Sequence, residues 1–185
     1  MSDRNALESY TADIVIRRWD AGDSVRELTL LLHRAYQSLA DRGLRFVATC
    51  QDEKITEARI TGRECFVAAH NGVLVGTITL TPPERDPTNA VDPHRTATAW
   101  YRNPLVAVAG QFGVEPTFQR RGLGSRLLAE VERRAAELGA IEISLDTAEP
   151  AQDLIATYAR RGYRFIEYAQ WKSTNYRSVI LSRKL

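Results

Sequence analysis

Gln119-Arg120-Arg121-Gly122-Leu123-Gly124, with the helix it opens into, is the stretch on which the reading of this chain turns. Upstream, Val106 to Val114 reads as a strand, and Glu115-Pro116-Thr117-Phe118 as a bend. Downstream, Leu123, Leu127, Leu128, Val131, Ala135 and Leu138 recur at helical spacing, so one face is apolar. Gly139 stops that helix. The unit is strand, basic glycine loop, helix. The first N–H groups of a helix lack internal partners, and their dipole end is positive. Gly122 and Gly124 permit positive φ and close approach to the backbone, while Arg120 and Arg121 add full charges. Such a loop suits a phosphate or pyrophosphate.

Two familiar nucleotide loops fit less well. A Walker loop requires Gly-Lys-Ser/Thr, and Gly124-Ser125-Arg126 has no lysine. A dinucleotide fingerprint requires a third glycine, where Leu127 stands, and a first glycine directly after the strand, whereas Glu115 through Arg121 intervene. Asp146 does lie near the spacing of a ribose-binding acid, so that alternative is weakened and not eliminated.

The 185 residues suit one domain with one good-sized core. The net charge of +2 argues against a nucleic-acid binder and against a polybasic membrane protein. Cys50 and Cys65 are the only cysteines; they give neither a disulfide framework nor a metal spacing, and a reducing cytoplasm is expected. Met1 to Tyr10 has no signal-peptide core, no run is long and apolar enough to span a bilayer, and residues 1–12 read as a loose lead-in.

Ile14-Val15-Ile16 reads as the first strand. Ser24 and Glu27 fit a capping box for a helix through Leu28, Leu31, Leu32 and Tyr36, ended by Asp41-Arg42-Gly43. A second helix is expected from Asp52 to Ile60, stopped at Gly62; Leu44 to Thr49 stays ambiguous. Cys65 to Ala69 and Val73 to Leu80 read as strands joined by Asn71-Gly72, a tight-hairpin pair. Thr81 to Pro104 is longer than an ordinary connector and fits either a lid or a passive insertion. Ile141 to Leu145 alternates as a strand, Pro150 can begin the next helix, and Ala151, Leu154, Ile155 and Tyr158 share one inward face. Gly162 closes that helix, and Tyr163–Tyr168 and Ser178–Leu181 read as two antiparallel strands. A helix between the fourth and fifth strands implies that those two are parallel.

The central segment resembles the acyl-CoA-binding motif of GNAT-type N-acetyltransferases, Gln/Arg-x-x-Gly-x-Gly/Ala, which Gln119, Gly122 and Gly124 match in order. The likeness continues through Leu145–Glu149, Tyr158–Arg164 and Asn175–Val179. It implies an α/β (α+β) fold in which a mixed, mostly antiparallel sheet of six to seven strands is flanked by helices, with strands four and five splayed. It implies a single N-acetyltransferase domain over residues 13–185. The implied reaction moves acetyl from acetyl-CoA to a primary amine, on a small molecule or a peptide, by direct attack in a ternary complex that leaves coenzyme A. The alternative is a non-catalytic acyl-CoA-binding or sensing domain. A homodimer through sheet edges is compatible with the pattern.

By that resemblance Gln119, Arg120, Arg121, Gly122, Leu123, Gly124 and Ser125 hold the pyrophosphate, and Phe112, Gly113 and Val114 pair with the pantetheine arm like an added strand. Gly113 beside Phe112 suggests a bulge or close backbone approach there, or simple relief of crowding. Tyr158 matches the tyrosine that reprotonates the thiolate; a phenol with a pKa of about 10 does so without being ionised at neutral pH. Where some relatives carry Glu or His on strand four, this chain has Val108 and Gly110, and the base is left among Glu64, His70, His94, Asp146, Glu149 or a water chain. An Asn that many relatives carry before the tyrosine is replaced near Ala151. His33 reads as structural, and Arg160, Arg161 and Arg164 read either as a solvated helix end or as contacts for the 3′-phosphate.

Overall fold

The computed structural model describes residues 13–83 and 98–185. The expected lead-in, and the middle of the long connector with His94, lie outside the described residues.

Seven strands form one sheet: β1 (Ile14–Arg18), β2 (Glu64–His70), β3 (Val73–Thr81), β4 (Val106–Val114), β5 (Glu142–Ala148), β6 (Arg164–Gln170) and β7 (Arg177–Lys184), in the order β1-β2-β3-β4-β5-β7-β6. Every neighbouring pair is antiparallel except β4 with β5, which is parallel as the intervening helix requires. Among the described residues four α-helices cover the sheet: α1 (Val25–Ala40), α2 (Glu53–Ile60), α3 (Leu123–Glu137) and α4 (Gln152–Arg160). None is long and apolar enough to cross a membrane.

The local signals act as expected. Ser24 Oγ accepts from the Glu27 amide at 3.3 Å, and Asp52 Oδ1 from the Ile55 amide at 2.8 Å, so α1 and α2 start where their caps stand. Asn71 and Gly72 take φ of 50° and 78°, the pair of positive values a two-residue hairpin needs. The fifth strand runs three residues beyond Leu145, to Ala148, because each of those residues pairs with β7 in the register Asp146↔Ile180, Thr147↔Val179 and Ala148↔Ser178. Pro150 stands two residues before α4, with the buried Ala151 as its N-cap.

Strand alternation sends β2 to both sides. Phe66 and Ala68 pack with Leu123, Leu127, Leu128 and Val131 of α3. Cys65 and Val67 pack with Leu28, Leu31 and Leu32 of α1, and with Ile60 of α2. Ile155 and Tyr158 of α4 join the α3 side, but no residue of α4 is fully buried. Its apolar face looks onto open space between β4 and β5.

That opening follows from the ladder. β4 and β5 are paired only at Val106↔Glu142, Ala107↔Ile143 and Val108↔Ser144. Beyond Val108 they part. Opposite β3 the register shifts between Thr77↔Gly113 and Thr79↔Gly110, so Gln111 and Phe112 together face Ile78. The bulge is carried by Gln111, at φ 46°, and not by Gly113. A non-glycine residue in that region costs about 1–3 kcal/mol unless its surroundings hold it. Two contacts from the α1–α2 side do so: the Tyr36 hydroxyl donates to the Phe112 carbonyl at 2.9 Å, and Gln51 Nε2 donates to Gln111 Oε1 at 3.2 Å. Gly113 answers to the other reading, close approach. A Cβ there would stand 3.1 Å from Ala35 Cβ and 3.3 Å from Leu32 Cδ2, so its absence lets α1 lie on the strand.

Candidate active site

Where β4 and β5 part, two clefts meet. The larger, about 600 Å³, lies between the ends of α1, α3 and α4. The smaller, about 140 Å³, lies between the end of α2 and the β6–β7 connection. Tyr36, Phe46, Ala109, Gly110, Gln111 and Asp146 line both.

The larger cleft runs from the glycine loop to the splay. Its lining includes Phe112, Gly113, Val114, Gln119, Arg120 and Gly124. Gly122 is the N-cap of α3 at φ 84°, and a Cβ there would meet nothing within 4 Å. Conformation and not crowding requires glycine at that position. Gly124 has no positive φ; a Cβ on it would stand 3.3 Å from Phe112 Cζ, so its smallness keeps the first turn of the helix against β4. Arg120 takes a left-handed φ of 58°, and Gln119 Nε2 donates to the Val114 carbonyl at 2.9 Å, tying the loop to the strand. Leu123 has its side chain in the core and Ser125 is exposed, so each can offer a ligand its backbone N–H at the helix start. Arg121 stands exposed on the same loop. Among the basic residues after Tyr158, Arg161 pairs with Glu132 at 3.1 Å and Arg164 with Glu142 at 2.8 Å, both structural. Arg160 lines the cleft. At the far side Arg42, just past the end of α1, reaches Asp153 of α4 at 3.0 Å across the opening.

Tyr158 projects from α4 into this cleft. Burial, and then the nearby Tyr36 and Asp146, push its phenol well above the ordinary value, so it keeps its proton at neutral pH. Its ring meets that of Tyr163 edge-on at 5.8 Å. Burial lifts Tyr36 to about 12, with Arg59 drawing it down and Asp146 pushing it up.

The residues that could act as base separate cleanly. Glu64 is held by Arg134 at 2.7 Å and by Arg18, which keep its carboxyl below the usual range. Glu149 is engaged by Arg177 at 2.6 Å. His70 ends the hairpin strand against the Phe118 ring. His33 bonds the Gln51 carbonyl at 2.8 Å, a structural role. Asp146 alone of these lines the clefts, at their junction. Tyr101 donates to its Oδ1 at 3.2 Å and Trp171 Nε1 to its Oδ2 at 2.9 Å. Those two rings stack at 6.2 Å. Neither donor carries a charge, so Asp146 remains available to a cationic amine.

No motif in the sequence marked the smaller cleft. Arg59, in the last turn of α2, and Arg63, just past the Gly62 turn that follows it, line it together with Tyr101, Trp171 and Tyr176. Arg59 Nη1 donates to Gln51 Oε1 at 2.8 Å, and Arg63 donates to the Arg59 carbonyl at 2.6 Å and to Thr81 Oγ1 at 3.2 Å. Cys65 is buried, its thiol raised to about 11 chiefly by burial, which suits packing and not nucleophilic attack.

Residues 32–163 match the family model described as the acetyltransferase (GNAT) family. The chain is 31% identical over 144 residues to an S-(2-succino)cysteine N-acetyltransferase of Bacillus subtilis (strain 168), spanning 76% of this chain and 77% of that one. It is 26% identical over 144 residues to an S-alkylcysteine N-acetyltransferase of the same organism, spanning 76% and 74%. In fold it is similar to a GNAT family acetyltransferase from Elizabethkingia anophelis solved with acetyl-CoA bound, with a TM-score of 0.61 at 15% identity over 94% of this chain and 99% of that one.

Proposed function

The chain belongs to the acetyltransferase (GNAT) family and is an acyl-CoA-dependent N-acetyltransferase; from that premise we propose that it acetylates the α-amino group of a small amino acid of the S-substituted cysteine kind. The relatives' names support the acceptor class. The observation that carries the reading is the meeting of two clefts at the β4–β5 splay, with Asp146 facing both.

The residues of the larger cleft fit acetyl-CoA. Helix-start amides at Leu123, Gly124 and Ser125, with Arg120, hold the pyrophosphate; the backbone of Phe112, Gly113 and Val114 holds the pantetheine arm along the strand edge that β5 has left. Acetyl-CoA supplies the thioester carbonyl that the amine attacks. Asp146 first takes a proton from the ammonium, freeing the nitrogen lone pair. As the carbon–nitrogen bond forms and the carbon–sulfur bond breaks, Tyr158 gives its proton to the departing sulfur, and the surplus proton on the new amide nitrogen returns to the phenolate so formed. Attack is direct, because the buried Cys65 offers no acyl-enzyme route.

The test is release of free thiol from acetyl-CoA across a panel of amino acids, S-substituted cysteines, polyamines and peptides. Thiol release with the cysteine derivatives supports the reading; acetyl-CoA binding without transfer to any amine supports a sensing domain instead. Within that assay Tyr158→Phe lowers kcat about 100-fold, the lower end for a general acid, with acetyl-CoA affinity unchanged. Equal turnover in the variant removes Tyr158 from the acid role.

A further inference from the structure

The side-chain amide of Gln111 has its direction fixed by its neighbours. A guanidinium only donates, so Gln51 turns Oε1 toward Arg59, whose Nη1 donates to it at 2.8 Å. Gln51 Nε2 then faces the other way, donating to Thr56 Oγ1 at 2.7 Å and to Gln111 Oε1 at 3.2 Å. Gln111 therefore meets Gln51 with its oxygen, and its Nε2 is turned away from that network. The residue is only 4% exposed, and Nε2 has no hydrogen-bond partner among the described residues. A buried donor without an acceptor is costly. At the meeting of two clefts, the acceptor it lacks is one that a ligand can bring.

The chemistry of an amino-acid acceptor says which oxygen. In an α-amino acid the amine and the carboxylate share one carbon. With the ammonium on Asp146, the carboxylate falls in the same junction. Six residues line both clefts, and among their side chains only Tyr36 and Gln111 carry a hydrogen-bond donor. The Tyr36 hydroxyl is engaged by the Phe112 carbonyl at 2.9 Å. Gln111 Nε2 is the side-chain donor that remains. The arginines of the smaller cleft are not needed for this step; Arg59 enters only through the bond that orients Gln51.

We propose that Gln111 Nε2 donates to the α-carboxylate of the acceptor, so that Asp146 and Gln111 hold an α-amino acid by its two charged groups and present its amine to the thioester. Gln111 is then the residue that separates α-amino acids from simple amines. This rests on the acetyl-transfer reading above. It also gives the bulge of β4 a use on the acceptor side: the residue that carries the left-handed φ of 46° is the one whose side chain meets the acceptor.

The experiment compares kcat/KM, read by thiol release, for S-(2-succino)cysteine and for S-methylcysteine, each against the amine that lacks its α-carboxylate. Wild-type protein favours the amino acid of each pair by roughly 10- to 150-fold, the range for hydrogen bonds to a charged group. Gln111→Met, of similar length and without a donor, brings that ratio to within about 3-fold, chiefly through a higher KM for the amino acid. Gln111→Asn keeps the amide one methylene short and lowers the ratio partway, which covers the case where the methionine variant fails to fold. A wild-type ratio near one overturns this inference and leaves acetyl transfer intact. So does thiol release only with amines that carry no α-carboxylate. An equal fall for both members of a pair in a folded variant overturns it too, because a structural role or a bond to the thioester oxygen does not distinguish them. Failure of thiol release with every amine overturns acetyl transfer, and this inference with it.

Discussion

The larger cleft is bordered by main-chain features: the start of α3, the edge of β4 that β5 leaves after Val108, and a loop shaped by positive φ at Arg120 and Gly122. The smaller cleft takes its surface from side chains. Tyr36, Arg59, Tyr101, Asp146, Trp171 and Tyr176 come from five separate segments and converge only in the fold. A backbone surface tolerates much change of side chain and binds what the main chain can bind. A side-chain surface is sensitive at each position and can differ between related proteins on one scaffold. On the proposed assignment the chain carries a general cofactor half and a particular acceptor half, joined at the Gln111 bulge.

The sharpest way to break this division is at the junction. Asp146→Asn keeps the size of the side chain and its acceptor oxygen while removing the charge and the proton site. Turnover is expected to fall about 10²–10⁴-fold, the usual range for a general base. Acetyl-CoA affinity by calorimetry should stay within a factor of two to three, roughly 0.6 kcal/mol. A parallel collapse of cofactor affinity would mean that Asp146 serves the larger cleft, and that the two halves are not energetically separate.

The next test addresses the cofactor half. At Gly122 nothing crowds a Cβ, so Gly122→Val acts only through the φ of 84° that a β-branched residue resists. The turn must relax, and the helix-start amides lose their aim. Loss of one charge-assisted hydrogen bond, about 1.5–3 kcal/mol, weakens acetyl-CoA binding roughly 10- to 150-fold. Saturating acetyl-CoA should restore most of kcat. Unchanged affinity would show that the loop is a structural turn and remove it from the binding site.

The difference between the halves also explains what could be read in advance. A strand, a positive-φ glycine and an apolar stripe at i, i+4 are local patterns, so β4, the loop and α3 were legible together with their likeness to an acyl-CoA motif. The parallel pairing of β4 and β5 followed from the helix between them. Tyr36 was legible only as part of an apolar helix face, since nothing nearby reveals that its hydroxyl crosses to Phe112, 76 residues away. Asp146 stood among five acids and histidines of equal standing until the splay set it apart. Tyr101 and Trp171, its two donors, flank it from distances of 45 and 25 residues, which no spacing rule connects. The bulge was expected beside a glycine because glycine tolerates unusual backbone most readily; here tertiary hydrogen bonds hold Gln111 in that conformation instead.

Gly113 gives the finest distinction, because it lies on the wall between the halves and was read as both a cofactor contact and a packing position. Its Cβ would press on Ala35 and Leu32 of α1, at 3.1 and 3.3 Å, and lie 3.7 Å from the Tyr36 ring. Overpacking of this kind costs about 1–3 kcal/mol, so Gly113→Ala should lower the unfolding free energy by that order. A pantetheine arm held by the backbone amide and carbonyl of this residue loses neither group to a methyl. Acetyl-CoA affinity should therefore change by less than about 3-fold even as stability falls. The amine's KM should rise modestly, as α1 and Tyr36 give way on the acceptor side. A large loss of cofactor affinity with stability unchanged would reverse the assignment: the methyl would then be occupying ligand space, and the wall would belong to the larger cleft.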